Sequence, residues 1–448
     1  MTAGRDTITA IATPPGRGGV AIARVSGPSA PAIACSVIGR VPAPRRAVFS
    51  RFLDAAGEPL DEGLVLYFPA PASFTGEDVV EFHGHGSPVV CDLLLARLLE
   101  LGARLAEPGE FSLRAFLNDR IDLVQAEAIA DLVASRSAQA ARAALRALDG
   151  DFSRLVHALV AELTRVRVYV EAAIDFPDDE LDFLDDAALR DGLAGLQTRF
   201  DALAAALRQG RLLAEGFSIV IAGPPNAGKS SLLNALAGSD TAIVTPVPGT
   251  TRDLLREYIL LGGMPLNLID TAGLRDTADL VEREGVRRAR GELARADHAL
   301  LVVDGSTISD AELAALRAEL PEGLPHTLVL NKHDLGHPPG LAPDRHSAVA
   351  VSALTGAGLD ALRAALIQAA GLAEDTTTTI TARRRHLDAL ARARGHLDEG
   401  LEQLETWRAG ELLAEELRLA QNELGTITGM VTSDDLLGEI FSSFCIGK

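Results

Sequence analysis

The sequence predicts a multidomain α/β and α chain: an N-terminal α+β domain, a discontinuous helical domain, and a doubly wound α/β domain inserted between the two helical parts. Three observations carry this. Short alternating apolar runs fill the first 118 residues or so. Apolar residues recur at steps of three and four from residue 120 to 210, and again after 382. From Phe217 the pattern is strand, Gly-rich turn, helix, repeated. At 448 residues the length prior is about three domains.

In the segment 1–118, "TITAIA" and "GVAIARVSG" alternate around the turn "TPPGRGG", and "GLVLYFPAP" and "EDVVEFHGHG" read as further strands. "PVVCDLLLARLLELG" reads as a helix ended by Gly102, the residue type suited to a C′ position. In 119–214, Leu145, Leu148, Phe152, Leu155, Leu159, Leu163, Val166 and Val170 form one apolar stripe, which predicts one helix reaching toward Pro177. The acidic run Asp178 to Asp186 reads as a solvated linker, and a second helix ends near Gly210. In 215–373, "FSIVIAG", "LNLIDTAG", "HALLVVDG" and "HTLVLNKHD" are apolar runs typical of strands buried on both faces, closed by a helix at Asp360–Ala370. "AEDTTTTITA" is a linker. Within 374–448 helix returns, marked by Leu387, Leu390, Leu397, Leu401, Leu404 and Trp407. The two helical parts either pack together around the insertion or form separate units.

Acidic side chains outnumber basic ones 62 to 42, a net charge of −20 that opposes a surface coating nucleic acid. Arg383, Arg384 and Arg385 form a local basic cluster, either a phosphate contact or a helix-start surface patch. Cys35, Cys91 and Cys445 lie far apart with no CxxC pair, which suggests neither zinc knuckle nor disulfide framework. No apolar h-region opens the chain and no stretch approaches a membrane span, so a cytoplasmic protein with no membrane partner is expected. The last four residues mimic a prenylation box only in the place of Cys445, because Gly447 is not aliphatic and Lys448 is not an accepted terminus.

"GPPNAGKSS" matches the phosphate-loop pattern through Gly223, Gly228, Lys229 and Ser230, after an apolar strand and before a helix. Glycines let backbone N–H groups wrap phosphates, and the helix N-terminus adds its positive end. Asn226, Ala227, Gly228, Lys229, Ser230 and Ser231 are therefore assigned to nucleotide, with Lys229 neutralising the β and γ phosphates and Ser230 ligating Mg²⁺. In "TPVPGTT", Thr250 and Thr251 offer a hydroxyl to Mg²⁺, with Thr251 taken as the ligand. The rest of that loop, Thr245, Pro246, Val247, Pro248 and Gly249, completes the wrap. In "DTAG", Asp270 holds the metal-bound water and Gly273 offers an amide to the γ-phosphate, with Thr271 and Ala272 between them.

"NKHD" supplies Asn331, Lys332 and Asp334 at a strand end. An Asp334 carboxylate accepts from both N1–H and the 2-amino group of guanine, whereas adenine would leave it unpaired. The Lys332 stem lies along the ring, and Ser352, Ala353 and Leu354 bring a backbone N–H to O6. The ordered set predicts a Ras-like P-loop G domain that binds GTP.

The residue after "DTAG" is Leu274, which cannot aim an attacking water as glutamine does in many such switches. Glu282, beyond the "RDTAD" stretch, could swing in, although spacing alone favours a surface carboxylate there. Asn226 could offer its carbonyl oxygen to a monovalent cation cupped by the carbonyl-rich loop, or it stabilises the turn. Spacing leaves both readings open.

His83 and His85 share one strand face without an evident third ligand, so turn packing is expected rather than a metal site. Cys445 reads as a reactive thiol or as a buried structural residue.

"GPPNAGKSSLLNAL", "TPVPGTTRD", "DTAGLRDTADLVEREG", "TPPGRGGVAIARVSG", "FTGEDVVEFHGHG", "PGEFSLRAFLNDRIDLVQAEAIADL" and "TSDDLLGEIFSSFCIGK" resemble the MnmE (TrmE) family of tRNA-modifying GTPases over essentially the whole chain. The resemblance implies a homodimer whose two G domains meet to activate K⁺-dependent hydrolysis, with K⁺ at Asn226, Thr245, Val247 and Thr250. Glu282 would activate water, with Lys229 and Asn226 as the other catalytic groups. It also implies 5,10-methylene-tetrahydrofolate at Arg24, Glu81, Arg120 and Lys448, for which 5-formyl-tetrahydrofolate is an analogue. Residue 120 is Arg where the family pattern has lysine. The charge is kept and the donor geometry is not. The family places Cys445 near the modification chemistry. An FAD-dependent partner, MnmG (GidA), would join in a heteromeric complex that modifies C5 of the wobble uridine of tRNA. The rival expectation is a ribosome-assembly GTPase switch without modification chemistry, although no KH-like GXXG unit follows the G domain.

Overall fold

The computed structural model describes residues 6–175, 187–237, 256–261, 264–270, 296–336, 348–371, 380–445 and 447. The elements run β1 (Ile8–Ile11), β2 (Gly18–Ser26), α1 (Ala30–Ile38), β3 (Val48–Leu53), β4 (Pro59–Phe68), β5 (Val79–Gly86), α2 (Pro88–Glu100), β6 (Arg104–Leu105) and α3 (Glu110–Leu117). There follow α4 (Leu123–Ala134), α5 (Ala138–Leu148), α6 (Asp151–Asp175) and α7 (Ala187–Ala214). Then come β7 (Phe217–Ala222), α8 (Lys229–Ala237), β8 (Arg256–Leu261), β9 (Met264–Asp270), β10 (His298–Asp304), α9 (Asp310–Ala318), β11 (His326–Asn331), β12 (Ala348–Ala350) and α10 (Leu359–Ala370). The chain closes with α11 (Arg384–Trp407), α12 (Gly410–Thr428) and α13 (Asp434–Ser442).

The chain divides into two compact units, one of residues 1–130, 147–197 and 389–448, the other of 131–146 and 198–388. In the first, β3-β4-β5-β2-β1-β6 form a sheet. Inward-facing Ala23, Val25, Phe52, Val65, Val80 and Phe82 pack on Ile33 and Val37 of α1 and Leu94 and Leu98 of α2. This mixed sheet is the predicted α+β domain, with β3, β6 and α1 added to the elements legible by pattern. Gly102, at φ +97, follows α2 as expected. In the same unit α12 packs along α6, so helical segments far apart in sequence share one core. Leu437, Ile440, Phe441 and Phe444 near the chain end pack on Leu123 and Ala126 of α4.

The single stripe predicted from Leu145 to Val170 is two helices. Gly150 sits at φ +86, a left-handed turn that ends α5 and starts α6. Phe152, Leu159, Leu163, Val166 and Val170 are buried, but Leu145 and Leu155 face outward. Nor does Gly210 end a helix, for α7 runs on to Ala214. A Cβ at Gly210 would lie 2.1 Å from the Ile380 carbonyl oxygen, so the glycine admits a crossing backbone. The last residues of the predicted linker, Ile380, Thr381 and Ala382, are buried, and its earlier residues, 373–379, lie outside the described residues. The acidic run Asp178 to Asp186 lies outside the described residues.

The second unit holds the sheet β12-β11-β10-β7-β9-β8, parallel throughout except for β8 against β9. Strands β7, β10 and β11 are nearly continuous apolar runs, as burial on both faces requires. After β7 the chain passes to one side of the sheet and later returns to fill the other. The C-terminal end of β7 is therefore the topological switch point where such folds bind ligands.

At the start of β10, His298 is buried against Phe217 of β7 and shares a 2.8 Å hydrogen bond with the Thr327 hydroxyl of β11. Burial, and secondarily the nearby His326, hold the His298 imidazole below its ordinary pKa of 6.5. The unfolded chain therefore takes up this proton first as pH falls. Its stabilising contribution is complete above the unfolded value and declines below it, by up to about 1.4 kcal/mol per pH unit. Relative to intrinsic exchange at each pH, the protection of the β10 amides should fall between pH 7 and 5, and a His298→Phe variant should flatten that change.

Candidate functional site: a phosphate loop and a base-reading turn

The loop between β7 and α8 is built for close approach. Gly223 and Gly228 have φ of +141 and +88, and a Cβ at either would lie 2.0 Å from the Val302 carbonyl oxygen or 2.2 Å from Asn331 Nδ2. Lys229 opens α8, and its ammonium donates to the carbonyls of Gly223 and Pro224 at 2.9 and 2.8 Å. Lys229 thus lies back along the loop between β7 and α8. Ala227 is buried. Asn226, at φ +62, is exposed together with Ser230 and Ser231.

Three connections converge on Asn331 at the end of β11. Its Nδ2 donates to the Ala227 carbonyl at 2.8 Å, its Oδ1 accepts from Ala353 N–H at 3.1 Å, and its carbonyl accepts from Gly305 N–H. Asn331, assigned from sequence to base reading, also braces the β7–α8 loop against the loop holding Ser352. Lys332 follows at φ +61, and Asp334 lies in a short 3-10 turn. The Ser352 hydroxyl donates to Asp334 Oδ1 at 2.6 Å, so the carboxylate is oriented by a side chain that is itself fully buried. Leu354 is exposed beyond it.

Asp304, at the end of β10, escaped the sequence reading. Its carboxylate accepts from Lys332 Nζ at 2.7 Å and from the Ser306 hydroxyl at 2.6 Å. Burial alone would raise its pKa, but these donors outweigh burial and hold the carboxyl below the ordinary range. The only trace in the sequence was an acidic residue closing an apolar strand, in a position parallel to "NKHD".

The remaining nucleotide positions, Thr245, Pro246, Val247, Pro248, Gly249, Thr250, Thr251, Thr271, Ala272, Gly273 and Glu282, lie outside the described residues. Asp270 ends β9 beside Ile221 of β7, and its side chain also lies outside them.

In the N-terminal sheet Arg24 and Glu81 face each other across β2 and β5, joined by bonds of 2.9 and 2.8 Å. The Arg24 guanidinium lies 5.8 and 5.6 Å from the ring centres of Phe74 and Phe111, and it donates to the Gly447 carbonyl at 3.4 Å. The chain end is thus brought to the residue the resemblance singled out. Arg120 is exposed beside Gly76, and Lys448 lies outside the described residues. His83 pairs with Glu81, whereas His85 pairs with Asp61, which raises the His85 pKa. Among the described residues no cluster of His, Cys, Asp and Glu could hold a metal ion. Cys35, Cys91 and Cys445 are free, and Cys445 is exposed rather than buried. Arg383 pairs with Asp131, so the basic cluster is partly committed to structure. No helix among the described residues is long and apolar enough to cross a membrane.

Residues 123–445 match the family described as the MnmE helical domain, and residues 7–120 match the GTP-binding protein TrmE N-terminus. Two curated relatives are both called tRNA modification GTPase MnmE. The protein of Alkalilimnicola ehrlichii is 59% identical over 99% of this chain and 100% of its own length. That of Yersinia pseudotuberculosis is 57% identical over 99% of each. Among solved structures, the G domain of the T. maritima FeoB iron transporter is 26% identical over 34% of this chain and 98% of its own. Its TM-score is 0.25, too low to bear on function. With both family matches and full-length identity of this order, the chain belongs to the MnmE (TrmE) family of tRNA modification GTPases.

Proposed function

We propose that this protein is a K⁺-dependent GTPase that works with the FAD-dependent MnmG to form the aminomethyl or carboxymethylaminomethyl group at C5 of the wobble uridine of certain tRNAs. GTP hydrolysis with Mg²⁺ in tRNA modification follows from the family itself. The finer reading adds K⁺, a folate-borne carbon, a homodimer made through the N-terminal domain, and a cytoplasmic location. The domain limits we adopt are 1–118, 119–214, 215–373 and 374–448. The ribosome-assembly alternative draws nothing from the family match.

The observation that supports guanine is the Asp334 carboxylate, oriented by Ser352 beside a loop whose Gly228 leaves no room for a side chain. This set fits a purine with donors at N1 and C2. Ser230, exposed at the start of α8, suits Mg²⁺ together with Thr251. Asn226 would hold K⁺ with Thr245, Val247 and Thr250, and K⁺ would supply positive charge where the leaving phosphate gathers negative charge. Glu282 would orient and deprotonate water in place of the amide that Leu274 lacks. Arg24 and Glu81 present a planar cation and a carboxylate between Phe74 and Phe111. That combination fits a flat heterocycle with donor and acceptor edges, and Arg120 and Lys448 would complete it. Bound methylene-tetrahydrofolate would supply the carbon.

Turnover in K⁺ should exceed that in Na⁺ by about a thousandfold, the lower end of an arginine finger's effect. Equal rates would remove the cation from Asn226, and full turnover in Glu282→Ala would return Glu282 to the surface. Nucleosides of tRNA from cells lacking this chain should lose the C5 substituent. Fully modified tRNA would reject the reaction assigned.

A further inference from the structure

Lys332 is tethered in a way that base reading alone does not require. Asp304 ends β10 directly beside Asn331 in the parallel register of β10 and β11. Gly305 N–H donates to the Asn331 carbonyl at 2.8 Å, which locks the two strand ends together. Lys332, at φ +61, leaves the strand direction at once, and its side chain is only about one third exposed. Its ammonium meets Asp304 Oδ2 at 2.7 Å rather than reaching into solvent. The other oxygen of Asp304 accepts from Ser306 N–H at 3.0 Å and from the Ser306 hydroxyl at 2.6 Å. A carboxylate gripped from both sides is a fixed anchor, and charge-assisted bonds of this length are the strong ones.

We propose that Asp304 is a positioning residue for the purine: it holds Lys332 stretched across the ends of β10 and β11, so that the methylene stem stands ready as one wall of the base slot. A free lysine side chain has many rotamers, and most of that freedom is lost when its stem is fixed against a ring. Here that ordering is done before nucleotide arrives, which is preorganisation. Asp304 touches no phosphate in this scheme, so its effect falls on GTP and GDP alike. The inference rests on the guanine-reading role of Asn331, Lys332 and Asp334.

The test uses the full chain, with GDP and GTP titrated calorimetrically and GTP turnover measured in parallel. Asp304→Ala should raise the dissociation constants of both nucleotides about tenfold, equivalent to about 1.4 kcal/mol, and the loss should appear in KM rather than in kcat. Asp304→Asn, which keeps an acceptor for Lys332, should recover part of the affinity. The double variant with Lys332→Ala should bind no more weakly than Lys332→Ala alone, because both changes remove one interaction. Unchanged affinity in Asp304→Ala, or additive losses in the double variant, would overturn the proposal. So would a loss that tracks faster β10 amide exchange and is not recovered by Asp304→Asn, which would make Asp304 structural only. Asp334→Asn separates the two readings, since an amide at 334 should weaken guanine and favour xanthine. If it does neither, base reading itself fails. If it does both and Asp304→Ala is silent, only the role of Asp304 fails.

Discussion

A Gly228→Ala variant should lose GDP and GTP binding by about three orders of magnitude, roughly 4 kcal/mol. Two effects add. The left-handed backbone at φ +88 costs an alanine about 1–2 kcal/mol. The new methyl would also lie 2.2 Å from Asn331 Nδ2, so Asn331 must move. Moving it breaks the bonds to Ala227 and Ala353, each worth about 1 kcal/mol net and more if a buried partner is left bare. The phosphate loop and the Ser352 loop then lose their common brace, and both ends of the nucleotide are affected at once. Gly323→Ala is the control, because Gly323 has φ +83 but nothing within reach of a Cβ. It should cost stability by the backbone effect alone and leave nucleotide affinity unchanged. If Gly228→Ala binds GDP like the parent chain, the brace has no bearing on the nucleotide.

That brace marks the limit of what the sequence made legible. The phosphate loop was readable because glycine, lysine and serine fall at fixed spacing between a strand and a helix, all within one local stretch. Asn331 and Lys332 were readable as a motif, but their partners were not. Ala227, Ala353 and Asp304 come together only through the strand order that places β10 between β7 and β11. Periodicity misled at Gly150, where an Asp-Gly turn signal after Leu148 lay inside an apolar spacing that ran straight through it. Gly210 looked like a helix end because a crossing backbone leaves no mark in local sequence. In the N-terminal sheet, alternation showed β1, β2, β4 and β5. The pairing of Arg24 with Glu81 needed the register of β2 on β5 as well.

The second large effect belongs to Arg114, which pattern could not distinguish from a surface residue. It is almost fully buried, and its guanidinium bonds to Glu110, Glu77 and both the carboxylate and the carbonyl of Asp6. Arg104 closes the network on Glu110 and Asp6. Burial works against the charged forms of Asp6 and Glu110, yet the two arginines hold both carboxyls below their ordinary pKa. Arg114→Ala leaves Glu77 without this cation and Asp6 and Glu110 with Arg104 alone, so the variant should lose about 3 kcal/mol of stability at pH 7. The loss should depend on pH in a fixed direction. A depressed carboxyl stabilises fully above its unfolded value, and the contribution disappears as pH falls through the folded value. The gap between variant and parent should therefore narrow as pH drops below about 4, where the stranded carboxyls protonate. Phe111 follows Glu110 on α3 and flanks Arg24, so displacing α3 should also weaken binding of 5-formyl-tetrahydrofolate while the nucleotide site keeps its affinity. Urea titrations at pH 7 and at about pH 2, below the depressed carboxyls, check the first effect and calorimetry the second. An equal gap at both pH values would show that lost packing, and not uncompensated charge, carries the cost.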